Sequence, residues 1–119
     1  MAFTYSVKKQ EQIPVFTLSG DLIEKTQADQ LMQEVDDAIL NNNTGLILDL
    51  SKLAHLNSSG LTILIQILTK ARKAGGEAVV VNVGKRIKEL LVITKLNTVF
   101  TVMDTVKHGV NKLNAIASK

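Results

Sequence analysis

Two adjacent hydroxyls, Ser58 and Ser59, stand between Asn57 and Gly60. They follow the run Asp49-Leu50-Ser51-Lys52-Leu53-Ala54-His55-Leu56 and precede a long apolar stretch opened by Leu61. A serine in the first turn of a helix is readily reached by a kinase. A phosphate there changes the local charge by about −1.5 to −2. This is the layout of a switch. His55 lies three residues before Ser58, so a Ser-His pair has to be considered. The third group and the Gly-x-Ser-x-Gly elbow are both missing, and His55 reads as an ordinary solvated or packed histidine. His108 reads as a surface residue of the last helix. No His/Asp/Glu cluster has metal-ligand spacing, and no glycine-rich phosphate loop occurs. Gly84-Lys85-Arg86 reads as a helix start rather than an anion site. No residues support an enzymatic role, a cofactor or a metal.

The elements around the serines must fit one domain of 119 residues, with 45% apolar residues to build a core. Net charge is +3, and the basic residues are scattered singly or in pairs such as Lys8-Lys9 and Arg72-Lys73. Aromatic residues are confined to Phe3, Tyr5, Phe16 and Phe100, thin for a base-stacking platform. Direct nucleic-acid binding is therefore not expected. The absence of cysteine removes disulfides and thiolate chemistry and fits a cytoplasmic protein. No signal peptide is visible. No stretch approaches the ~18 consecutive apolar residues of a membrane span.

Period-two alternation predicts strands over 3–8 and 13–19, joined by the polar turn 9–12 as a hairpin. Pro14 fits only an edge or a strand start. Ser19-Gly20-Asp21-Leu22 is expected to break the second strand. Thr26 and Asp29 resemble a capping box. Ala28, Leu31, Met32, Val35, Ala38 and Ile39 then share one helical face, and Asn41-Asn42-Asn43-Thr44-Gly45 ends the helix. Leu46 to Leu50 reads as a central strand covered on both faces. A second helix spans about 59–73, with Leu61, Leu64, Ile65, Leu68 and Ala71 inward. Ile63 and Ile67 are expected to be partly exposed, and Gly75-Gly76 stops the helix. A buried strand over 78–81, a helix over 85–95, a strand over 99–102 and a final helix follow. Asp104 caps that helix, and Val106, Val110, Leu113 and Ala117 share its stripe. The order β-β-α-β-α-β-α-β-α is α/β layering, with the hairpin making the sheet mixed. A single domain over 1–119 is expected, with four to five strands against about four helices.

Gly20-Asp21-Leu22, Asp49-Leu50-Ser51 and Asn57-Ser58-Ser59-Gly60-Leu61 together resemble the STAS domain of bacterial anti-sigma factor antagonists. The resemblance covers essentially the whole chain, including the Lys-Leu-Asn-Thr-Val-Phe segment at 95–100. It implies a STAS-like fold and Ser58 as phosphate acceptor. It further implies that the unphosphorylated protein binds an anti-sigma factor that is also a serine kinase, freeing a sigma factor. The kinase then phosphorylates the antagonist and expels it, and a PP2C-type phosphatase resets it. Position 57 departs from the family pattern, Asn standing where the motif has Asp. Asn keeps the size and the acceptor but loses the charge. Members without the standard motif can be constitutive binders or scaffolds.

Each residue also has a plain structural role. Ser58 and Ser59 are good N-caps. Gly60 either admits a partner or neighbouring backbone or makes a tight turn. Asp21 either accepts hydrogen bonds from a partner or bonds its own loop. Asp49 orders its strand end. The expected partner surface is Asp21, Asn57, Ser58, Ser59, Gly60 and Ile63. Two other readings stand beside the switch. One is an unswitched STAS scaffold or soluble subunit of a signalling or lipid-transport assembly. The other is a nucleotide or small-molecule sensor using the loops at 20–22 and 57–60. Self-pairing into a homodimer is left open.

Overall fold

The computed structural model describes residues 2–41 and 45–117. A five-stranded sheet is built from β1 (Thr4–Gln10), β2 (Ile13–Leu22), β3 (Gly45–Leu56), β4 (Glu77–Val81) and β5 (Thr101–Met103), in that spatial order. β1 pairs antiparallel with β2, and the other neighbours pair parallel. Four helices complete the domain: α1 (Asp29–Leu40), α2 (Ser58–Lys73), α3 (Lys85–Ile93) and α4 (Val106–Ala117). The fold is the mixed α/β layering expected from the sequence.

Strand order follows chain order, so crossovers of one hand carry α1, α2 and α3 to the same face of the sheet. There Phe16, Leu18, Leu48, Leu50 and Val80 meet Leu31, Val35, Leu64, Leu68 and Leu91 in the larger core. Alternate residues Val15, Ile47, Val79 and Val81 point the other way and are covered by Val110 and Leu113 of α4. Buried on both faces, β3 and β4 need the unbroken apolar runs Leu46-Ile47-Leu48 and Ala78-Val79-Val80-Val81. Ala117, expected on the α4 stripe, has its side chain outside the described residues, as do Asn42, Asn43 and Thr44 of the expected turn.

Several boundaries differ from expectation. β2 does not break at Ser19 but runs on to Leu22 through register shifts at Thr17/Ser19 and Gly20/Asp21. Gly20 makes this feasible: its φ is +87°, and a Cβ there would strike the Ala2 carbonyl. β3 likewise extends past Leu50 to Leu56, because β2 keeps pairing with it as far as Leu22 opposite Leu56. Its pairing with β4 stops at Asp49. The second half of β3 therefore has one neighbour and a largely exposed surface, which is why it carries no apolar run.

Thr26 and Asp29 form no capping box. A 3-10 turn at Lys25–Ala28 precedes α1 instead, and Gln27 Oε1 accepts from the Ile23 and Glu24 N–H groups at 3.0 and 2.8 Å. α2 ends as expected at Gly75-Gly76, where Gly76 N–H donates to the Ala71 carbonyl and Gly75 N–H to that of Arg72. α3 stops at Ile93, since Lys95 turns left-handed at φ 63°. β5 begins at Thr101 rather than 99. At α4 it is Thr105, not Asp104, whose Oγ1 accepts from the His108 N–H.

Candidate functional site

The serine pair lies where β3 ends and α2 begins. Asn57 is in extended conformation (φ −114°, ψ −170°), and Ser58 and Ser59 are the first two helical residues. The Asn57 Oδ1 accepts from the Gly60 N–H at 3.0 Å, so Asn57 is the cap of α2. This corrects the expectation that a serine would cap. An N-cap stands two or three residues before the N–H it satisfies and outside helical conformation; Ser58 is already helical, so position 57 takes the role for Gly60. Both serines are exposed, and among the described residues neither hydroxyl has a hydrogen-bond partner.

Asn57 does a second thing. Its Nδ2 donates to the Ile23 carbonyl at 3.0 Å, across 34 positions of sequence. One carboxamide thus ties the loop after β2 to the start of α2. Gly60 tightens the same junction. It is buried, and a Cβ there would run into the Leu22 carbonyl and a methyl of Leu56. Of the two roles expected for Gly60, the structure shows the close approach of neighbouring backbone.

Asp21 and His55 sit opposite each other in the β2–β3 pairing. Their side chains meet, with His55 Nδ1 at 2.7 Å from Asp21 Oδ1. The Asp21 carboxyl is held below the usual carboxylate range by the hydrogen bonds it accepts, one of them from His55. His55 is thus more than a solvated histidine, yet among the described residues no hydrogen bond joins it to Ser58. Asp49, expected to order a strand end, lies inside β3 where the pairing with β4 stops, and accepts from the Ser51 N–H at 2.9 Å and from Asn82 Nδ2 at 3.2 Å.

Ile63 and Ile67 overturn their expectation. They are 1% and 0% exposed and belong to the larger core. The sheet, α1 and the 3-10 turn at Lys25–Ala28 cover a wider sector of α2 than a single stripe, so the second apolar face is buried too. Ile65, assigned inward, is instead only partly buried at the core margin. The structure therefore gathers Asp21, Asn57, Ser58, Ser59 and Gly60 at one end of the sheet and withdraws Ile63 into the interior. It adds Ile23, 41% exposed, whose carbonyl Asn57 holds. The signal for Ile23 was a lone branched apolar residue between the end of a strand and Glu24.

Exposed hydroxyls at a helix start, framed by a carboxamide clamp and an Asp-His pair, suit recognition and modification. The STAS domain family matches residues 4–109 of this chain. The chain belongs to the STAS domain family. Solved structures agree with the assignment. An anti-sigma factor antagonist from Mycobacterium paratuberculosis is 25% identical, with a TM-score of 0.79 and 94% of each chain covered. An anti-sigma-factor antagonist (STAS) domain protein from Planctomyces limnophilus is 17% identical, with a TM-score of 0.73, covering 95% of this chain and 97% of its own. The Bacillus cell fate determinant SpoIIAA, in its phosphorylated form, is 17% identical, with a TM-score of 0.71 and 92% and 98% covered. This STAS chain thus has the fold of anti-sigma factor antagonists. Among its described residues no helix is long and apolar enough to cross a membrane.

Proposed function

We propose that this STAS domain, spanning the chain, is a phosphorylation-controlled antagonist of an anti-sigma factor. Unphosphorylated, it binds an anti-sigma factor that is also a serine kinase and so frees a sigma factor in the cytoplasm. Phosphorylation at Ser58 expels it, and a PP2C-type phosphatase restores it. Asp21, Asn57, Ser58, Ser59 and Ile23 form the surface presented to the kinase, and Gly60 sets the approach of its backbone. Ile63 has no part in it. The observation that carries the reading is that Asn57 caps α2, which leaves the exposed Ser58 hydroxyl free of structural duty.

A phosphate on Ser58 sits at a helix N-terminus, where the dipole and free N–H groups favour an anion. The fold tolerates it. Its cost falls on the interface, where a doubly charged group must be desolvated against the partner. A loss of about 3 kcal/mol there weakens binding roughly hundredfold.

The test combines modification and binding. Purified protein and Ser58→Ala are incubated with Mg-ATP and lysate of the source organism, and phosphate is mapped by peptide mass spectrometry. Phosphate on Ser58 is expected in the wild type alone. The kinase partner should bind Ser58→Ala like the unmodified protein and Ser58→Glu about a hundredfold more weakly. Equal binding by the two variants overturns the switch. In that case Asn57, neutral where the family motif is charged, favours an unswitched scaffold.

A further inference from the structure

The two most exposed large apolar side chains of the described residues lie on helices of opposite charge. Leu40, 79% exposed, ends α1, and Ile93, 77% exposed, ends α3. α1 carries Asp29, Glu34, Asp36 and Asp37 and no basic residue. Asp36 and Asp37 stand one turn from Leu40, on the same side of the helix, and Asp36 also pairs with Lys70 at 2.8 Å. α3 carries Lys85, Arg86 and Lys88 against a single acid, Glu89. Val92, 55% exposed, lies with Ile93, Lys85, Lys88 and Glu89 along a shallow groove of about 390 Å³.

Among the described residues, Leu40, Val92 and Ile93 stay exposed, and Asp36 is the one acid of the knob held in an ion pair, to Lys70 of α2. Both helices pack on one face of the sheet, on either side of α2. The acidic knob and the basic groove therefore lie on opposite flanks of the same layer, with α2 between them. They cannot meet within one copy. A second copy set alongside brings its α1 against the first copy's α3.

The geometry points to head-to-tail self-association, with Leu40 of one copy seated against Val92 and Ile93 of the next. The Asp37 carboxylate faces Lys85 and Lys88 across the seam, while Asp36 keeps its pair with Lys70. Charge complementarity selects the second copy as occupant: the acidic-apolar surface that fits the groove is present on the same chain. The interface is heterologous, so each added copy leaves one knob and one groove open, and association continues along a line rather than closing as a symmetric dimer. Its charges make it sensitive to salt, since the screening length falls from about 30 Å at 0.01 M to about 8 Å at 0.15 M. The inference is independent of the role proposed for Ser58.

Sedimentation velocity of the full chain tests it, from ~10 µM to ~1 mM protein, the range of a weak interface. The wild type is expected to form a concentration-dependent series of species that recedes as salt rises. Leu40→Ser removes the knob and Ile93→Ser lines the groove with a hydroxyl. Both sites are exposed, and thermal melting verifies that each variant is folded. Each variant alone should associate at least tenfold more weakly than wild type. Their equimolar mixture retains one intact knob and one intact groove, and should give a dimer and nothing larger. A wild type that stays monomeric at low salt and the highest concentration overturns the inference. So does a mixture that stays monomeric, and so does either variant associating like wild type.

Discussion

The Asn57 carboxamide accepts from Gly60 and donates to Ile23. An aspartate in its place keeps the first bond, strengthened by the helix dipole, but turns an oxygen toward the Ile23 carbonyl. Alanine loses both bonds, and its cost is about 1–2 kcal/mol. Asn57→Asp should cost less than Asn57→Ala, and urea midpoints of the two variants measure the order. The reverse order would show that repulsion between the new carboxylate oxygen and the Ile23 carbonyl outweighs the retained cap. Asp21 gives a pH test of the same corner. Its folded pKa lies below the unfolded value, so the stability it contributes is present above the unfolded carboxylate pKa of about 3.9. That contribution fades as pH falls through the lower folded value. Wild type should therefore exceed Asp21→Asn in stability at about pH 6, with the gap closing in acid below about pH 4. A gap independent of pH would place the role of Asp21 in packing. The serine motif and Asp21 were legible from residue types alone. The division of labour between Asn57 and the serines was not, because a cap is decided by which residue leaves helical conformation at the strand end. The pairing of Asp21 with His55 was hidden for another reason: it depends on the register of two strands 34 residues apart.

At the scale of the element, α2 starts tightly packed because Gly60 lets it press on the Leu22 backbone. Gly60→Ala forces that backbone to move and should cost about 1–3 kcal/mol. Gly84 makes a useful contrast. It occupies the N-cap of α3 in extended conformation, with no side-chain cap and open space around it. Gly84→Ser should stabilise by a few tenths of a kcal/mol, through a new bond to the first turn. Denaturant titration of both variants separates the cases. Two equal and small effects would mean that the strand ends yield easily around Gly60. Helix positions were readable from apolar periodicity, which covers about three turns at a time. The reach of β2 and β3 was not. Residues 51–56 carry a mixed pattern, and their strand state follows from a neighbour already in place.

Across the whole molecule, α4 alone covers the smaller core, and Leu113 is its second buried anchor after Val110. Leu113→Ala should cost about 2–4 kcal/mol and lower the urea midpoint. Ser58→Glu, at the opposite extreme, should leave that midpoint almost unmoved. If Leu113→Ala is as mild as a surface change, then α4 is not integral to the fold. The sequence by itself determined the layered α/β class, because apolar spacing of two and of 3.6 residues must each find an interior. It also determined which polar groups stand at the start of α2, because the two hydroxyls are fixed by residue type and position. Which faces are truly interior was a tertiary decision. Ile63 and Ile67 read as a second, partly exposed face, and they are buried because the sheet, α1 and the 3-10 turn before it close over α2 from different directions. Leu40 and Ile93 show the converse, apolar side chains that no described residue covers. Burial belongs to the assembled layers, and no single element carries that information in its own pattern.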